Sequence, residues 1–159
     1  MSKVIVVYDS VTGFTEQMAK AVVDGVKSVE GVDVALLKVG TPFSISQLNT
    51  ADALIFGSPT RYGGVTQEMG YFLENVEAHI EAKRLKLSGK IGGVFASYEW
   101  DGGWVAEKIK GIMEALGIRV ITPLVSLVDG VHGRQRLQMD KDALQKCRDL
   151  GQAVAKKVA

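Results

Sequence analysis

The feature that most constrains this chain is the run Lys3-Val4-Ile5-Val6-Val7-Tyr8, nearly all β-branched and ended by Asp9 and Ser10. A strand with no alternating polar face has to be covered on both sides, the condition of an inner strand in a parallel sheet. Such a sheet needs helices between its strands, and the chain supplies them in alternation. Met18, Ala21, Val22, Gly25, Val26 and Val29 recur at three- and four-residue spacing, so a helix is expected over 15–29, stopped by Gly31. Further strands are expected over 32–38, 52–56, 90–96 and 119–125. Further helices are expected on the stripes Met69, Phe72, Leu73, Val76, Ile80 and Val105, Ile109, Ile112, Met113, Leu116, and over 140–157. Between Thr41 and Ala51, Pro42 and a shortage of periodic apolar residues leave only a short or irregular crossover. Right-handed crossovers wind these units into an α/β fold, a doubly wound five-stranded parallel sheet with helices on both faces. No internal repeat and no low-complexity linker divides residues 1–159, so a single domain is expected.

Composition removes several classes of function. The 19 Lys and Arg nearly balance 18 Asp and Glu, a formal charge of +1, so no nucleic-acid partner is expected. One cysteine and two histidines, His79 and His132, build neither a disulfide framework nor a zinc cluster. Cys147 shares an apolar helical stripe with Leu144, Leu150, Gly151 and Val154, which predicts a buried, inert thiol. The N-terminal apolar stretch is too short for a signal-peptide core or a membrane span, so no membrane insertion and a cytoplasmic location are expected. The basic group Lys83, Arg84, Lys86 and Lys90 is expected to be a solvated face.

Ligands of such a sheet bind beyond the carboxyl ends of its strands, where the strand order reverses. Three loops lie there. Ser10-Val11-Thr12-Gly13-Phe14-Thr15 offers hydroxyls, a glycine and a helix N-terminus without Lys or Arg, a cradle suited to a phosphate held by donors rather than by countercharge. Gly57-Ser58-Pro59-Thr60-Arg61-Tyr62-Gly63-Gly64 and Ser97-Tyr98-Glu99-Trp100-Asp101-Gly102-Gly103 add Tyr62, Tyr98 and Trp100, which suit a flat aromatic ligand.

Ser10-x-Thr12-Gly13-x-Thr15 after the first strand resembles the phosphate loop of flavodoxins, a fold for which FMN at this switch point is a known example. Residues 57–63 are similar to the isoalloxazine loop of flavodoxin-like proteins, including quinone reductases of the tryptophan-repressor-binding-protein type. Leu87-x-Gly89-Lys90, the stretch Phe95 to Gly103, and Cys147-Arg148-x-Leu150-Gly151 resemble the flavodoxin domain of flavo-diiron proteins. Glu99 departs from that pattern, which usually has Gly there, and the charge balance departs from the acidity of ordinary flavodoxins.

The resemblance implies strand order 2-1-3-4-5 and an FMN-binding electron carrier working between a reductase and an acceptor protein. Ser10, Thr12, Gly13, Phe14 and Thr15 would hold the phosphate. Pro59, Thr60, Arg61, Tyr62 and Gly63 would follow one edge of the flavin, and Ser97, Tyr98, Trp100, Asp101 and Gly103 the other. Arg61 would sit near N1 and C2=O, and Gly63 would ease rotation of the Tyr62–Gly63 peptide near N5. The compact frame lacks the insert that builds tetrameric quinone reductase sites, which favours the carrier; a monomer or weak homo-oligomer is expected. The alternative is an FMN-dependent NAD(P)H:quinone oxidoreductase, favoured by Pro59-Thr60-Arg61-Tyr62-Gly63. A two-component receiver is rejected because Asp9 stands alone and Gly57-Ser58-Pro59 replaces the second acidic site. No Walker motif is present either.

Overall fold

The computed structural model describes residues 1–100, 103–129, 131–132, 135–136 and 141–159. Strand β1 (Ser2–Tyr8) runs between β2 (Val32–Lys38) and β3 (Ala53–Pro59), parallel to both, with Val6 opposite Leu36 and Ile55. Strand β4 (Ile91–Tyr98) pairs parallel with β3, and β5 (Arg119–Val120) closes the order β2-β1-β3-β4-β5. The expected order 2-1-3-4-5 is thus observed.

The uninterrupted apolar run of β1 has its explanation in two cores. Ile5 and Val7 face one side with Leu54, Phe56, Val94 and Ala96, beneath helices α2 (Gln67–Glu81) and α3 (Val105–Ala115). Val4, Val6 and Tyr8 face the other with Ile55 and Phe95, beneath α1 (Phe14–Lys27) and α4 (Lys141–Val158). Side chains alternate faces along a strand, so both sets have to be apolar. Cys147 is fully buried in the second core, and burial pushes its thiol up to about 12 against the weaker opposing pull of Arg148.

One local expectation changes, that of the fifth strand, while the short, irregular 41–51 crossover is observed. The 41–51 crossover contains a 3-10 helix, Ile45–Thr50, rather than a full α-helix, as its weak periodicity implied. The last helix is described from Lys141 on. The fifth strand is not one element over 119–125: β5 stops at Val120 and β6 (Val125–Val128) resumes pairing with β4 further along. Val120 lies opposite Gly92 and Val125 opposite Phe95, so the outer strand carries two more residues than its partner over that interval. Pro123, after a cis Thr122–Pro123 bond, lacks the N–H a strand needs and sits in the excursion. A short antiparallel pair, β7 (Val131–His132) with β8 (Gln135–Arg136), follows. Among the described residues no helix is long and apolar enough to cross a membrane. In the basic group Lys90 is only half exposed, and its ammonium donates to the carbonyls of Asn49 and Ala51, tying the 3-10 helix to β4.

Candidate functional site

At the carboxyl ends of β1, β3 and β4, three loops meet at Ser97. The Thr15 and Ser97 hydroxyls are hydrogen-bonded at 2.9 Å, joining the first loop to the third. Thr60 Oγ1 donates to the Ser97 carbonyl at 2.8 Å, joining the second loop to the third. Thr15 and Ser97 are buried, so the bond between their hydroxyls is sheltered from water; with the part-buried Thr60 bond it fixes the loops against one another.

The first loop turns into α1 through Gly13, at φ 94°, and a Cβ built there meets nothing within 4 Å. Ser10 Oγ accepts the N–H of Gly13 and of Glu16, each at 3.2 Å, which leaves its own hydroxyl proton available to donate. Thr12 Oγ1 accepts weakly from Phe14 N–H at 3.3 Å. Among the described residues the N–H groups of Val11, Thr12 and Thr15 meet no protein acceptor. Donors without acceptors at the positive end of a 14-residue helix, around an open glycine, make a cradle that fits a phosphate group. Phe14 contributes only backbone here, because its ring is buried in the core.

The second loop forms a tight hairpin. Arg61 and Gly64 exchange backbone bonds of 2.8 and 2.9 Å, and Tyr62 (φ 51°) and Gly63 (φ 75°) are its two left-handed central residues. That is the type I′ turn, in which glycine suits the second central position. Tyr62 projects into solvent, 97% exposed, and across the cleft Trp100 is 79% exposed. Between them lies a cleft of about 280 Å³ lined by Val11, Thr12, Pro59, Thr60, Arg61, Tyr62, Ser97, Tyr98, Glu99, Trp100 and Asp129. Gly103 lies behind it: a Cβ there would stand 2.7 Å from the Tyr98 ring, so its absence lets that ring settle, and the Gly103 carbonyl accepts from Ser126 at 2.8 Å. Asp101 lies outside the described residues.

Two buried carboxylates escaped sequence reasoning. Asp129, immediately after β6, accepts the Thr12 hydroxyl at 2.9 Å and donates its own N–H to Tyr98 O at 2.6 Å, linking the cradle to the third loop. A fifth strand expected to end at Val125 stops four residues short of Asp129, whereas the observed strand runs to Val128 and places Asp129 at its carboxyl end. Asp9 accepts from Ser10 N–H at 2.8 Å and from the Thr66 hydroxyl, and Thr66 in turn caps α2 by accepting Met69 N–H at 3.3 Å. The root of the first loop and the start of α2 are thereby locked together. Beside them burial, then the 2.9 Å bond to Glu16, pushes the Tyr8 hydroxyl up to about 12.

The flavodoxin family profile matches residues 6–149. The chain belongs to the flavodoxin family. It is 32% identical over 173 aligned positions to the flavodoxin of Aquifex aeolicus (strain VF5), covering all of this chain and 88% of that relative. A solved flavodoxin from the domain Archaea superimposes with a TM-score of 0.81 at 31% identity over 98% of both chains. An NAD(P)H dehydrogenase (quinone) of Geotalea daltonii is 36% identical over 118 residues, 60% of this chain and 57% of that protein. This flavodoxin family member therefore carries the amide cradle and the paired loops on a frame shared along nearly its whole length.

Proposed function

We propose that this chain binds FMN and carries electrons between a reductase and an acceptor protein. The observation that carries the reading is the junction at Ser97, where an amide-rich helix tip and two aromatic-bearing loops share one cleft. The donors of Ser10, Thr12, Gly13, Phe14 and Thr15 are assigned to the phosphate. Pro59, Thr60, Arg61, Tyr62 and Gly63 are assigned to one edge of the ring, with Ser97, Tyr98, Trp100 and Gly103 to the other. When bound, FMN supplies one- and two-electron redox chemistry at its ring. The protein's own part is to hold the phosphate with neutral donors, to keep the loops apart at a fixed distance through Ser97, and to exclude water from the ring faces with Tyr62, Tyr98 and Trp100. Arg61 adds a positive charge at the cleft wall, which favours the more negative, reduced ring. Titration of apoprotein with FMN, followed by absorption and flavin fluorescence, tests this. Saturable one-to-one binding is expected, abolished or strongly weakened in Ser10→Ala/Thr15→Ala; a protein that leaves free FMN unchanged refutes it.

A second reading, NAD(P)H:quinone oxidoreductase, draws on the partial match to the quinone dehydrogenase and on the 59–63 segment. Steady NADH- or NADPH-dependent quinone reduction by the purified FMN-loaded protein, without a partner reductase, would favour it.

A further inference from the structure

The tip of the 61–64 hairpin is gripped from outside the cleft. Lys108, in the first turns of α3, donates from Nζ to the Gly63 carbonyl. Trp104, four residues earlier, has its indole Nε1 3.8 Å from where a Cβ of Gly63 would stand. Both contacts fall on the turn itself, whose two central residues are Tyr62 and Gly63. Rotating the peptide between them would convert the type I′ turn to type II′, whose first central position is taken almost only by glycine. Tyr62 occupies that position, so Tyr62, rather than Gly63, limits rotation, and the turn has one accessible form. An ammonium bound to the carbonyl of its second central residue then fixes where that rigid form points relative to α3.

We propose that Lys108 is a positioning residue, which holds the 61–64 hairpin in place before any cofactor arrives and brings a second cation, beside Arg61, to that flank of the cleft. The part concerning flavin rests on the FMN reading above; the grip on the hairpin does not. A wall already set in its bound geometry spares binding the cost of ordering it. A cation held there also favours adding negative charge to a ring in the cleft. Sequence gave no hint of this, because Lys108 lies on the exposed side of an amphipathic helix and is forty-five residues from its partner.

The test compares wild-type protein with Lys108→Met, Lys108→Gln and Lys108→Arg as full chains. Lys108 is exposed, so all three should fold, and equal urea midpoints check that they do. In the apoprotein the Gly64 amide, which donates to Arg61 O at 2.9 Å, reports the turn by NMR hydrogen exchange. Its exchange is expected to rise about threefold to tenfold in Lys108→Met and to return to the wild-type rate in Lys108→Arg. In the FMN-loaded protein the reduction equilibrium is expected to fall by a similar factor in Lys108→Met and Lys108→Gln, about 15 to 30 mV for a two-electron couple, with Lys108→Arg unchanged. Wild-type exchange at Gly64 in Lys108→Met, or a wild-type potential in that variant, overturns the proposal. If the wild-type chain fails to take up FMN, the functional reading falls, while the exchange arm still decides whether Lys108 holds the hairpin.

Discussion

The N-terminus of helix α1 carries the loop proposed to hold the phosphate, so its docking on α4 bears directly on the candidate site, and that docking depends on two absent side chains. A Cβ added at Gly25 would lie 2.0 Å from the Arg148 carbonyl oxygen, and one added at Gly151 would lie 2.0 Å from the Val22 carbonyl oxygen. Both obstacles are backbone, which cannot swing aside. To restore ordinary contact the helices must part by about 1.4 Å at the crossing, loosening Val22, Val26, Cys147, Leu150 and Val154, all buried there. Overpacking of this kind costs about 1–3 kcal/mol, and the upper end applies when backbone is the obstacle. Replacing glycine by alanine within a helix returns about 1 kcal/mol of propensity. The net expectation for Gly25→Ala is a loss of about 2 kcal/mol, or a melting temperature lower by roughly 4–8 °C in a chain of this size. Gly111→Ala is the control. It lies inside α3 with nothing within 4 Å of the added methyl, so the propensity gain is unopposed and the variant should be more stable than wild type. Urea unfolding of the apoproteins, followed by far-UV circular dichroism, reads both. The double variant Gly25→Ala/Gly151→Ala should lose less than the sum of its parts, because the first methyl already separates the helices. If Gly25→Ala and Gly111→Ala shift stability in the same direction, the close approach of α1 and α4 does not govern this crossing and the reasoning fails.

Other outcomes follow from the same contacts. The Cys147 thiol is raised from 9.0 to about 12, so the unfolded chain loses its proton first as pH rises. That contribution is intact below pH 9 and is lost between pH 9 and 12, with a slope of up to about 1.4 kcal/mol per pH unit. Denaturant midpoints over that range should flatten in Cys147→Ala relative to wild type, and an unchanged slope would remove the assignment. Ser97→Ala deprives the buried Thr15 hydroxyl of its partner; a loss of about 1–3 kcal/mol in unfolding free energy and weaker FMN binding are expected, measured by urea titration and fluorescence. Arg61→Ala should lower the flavin midpoint potential, more at low salt than at high salt, in potentiometric titration. No shift at either ionic strength would mean that the guanidinium acts only in solvent.

Much of the architecture was legible because it rests on short-range pattern. The β1 run, the 32–38 strand and the four amphipathic stripes state which faces are covered, and burial of those faces is what the sheet and its helices achieve. The polar loop after β1 was legible for the same reason: Ser10, Thr12, Gly13 and Thr15 lie close together in sequence at the start of α1. The fifth strand was misjudged because β-branched residues on both sides of Pro123 read as one strand, whereas the lost N–H and two extra residues push that segment off the sheet. Asp129 was missed with it.

The sequence alone determined that apolar runs and stripes would stack into a parallel sheet between two helical layers, and that hydroxyls, glycines and aromatics would collect after its strands. Those are properties of neighbours along the chain. Tertiary structure alone decided that Ser97 joins the three loops, that Asp129 reaches Thr12 across 117 residues, and that Lys108 grips Gly63. A polar side chain carries no mark of its partner in the sequence, because hydrogen bonds act over about 3 Å of space and only packing of the sheet brings those atoms within that range.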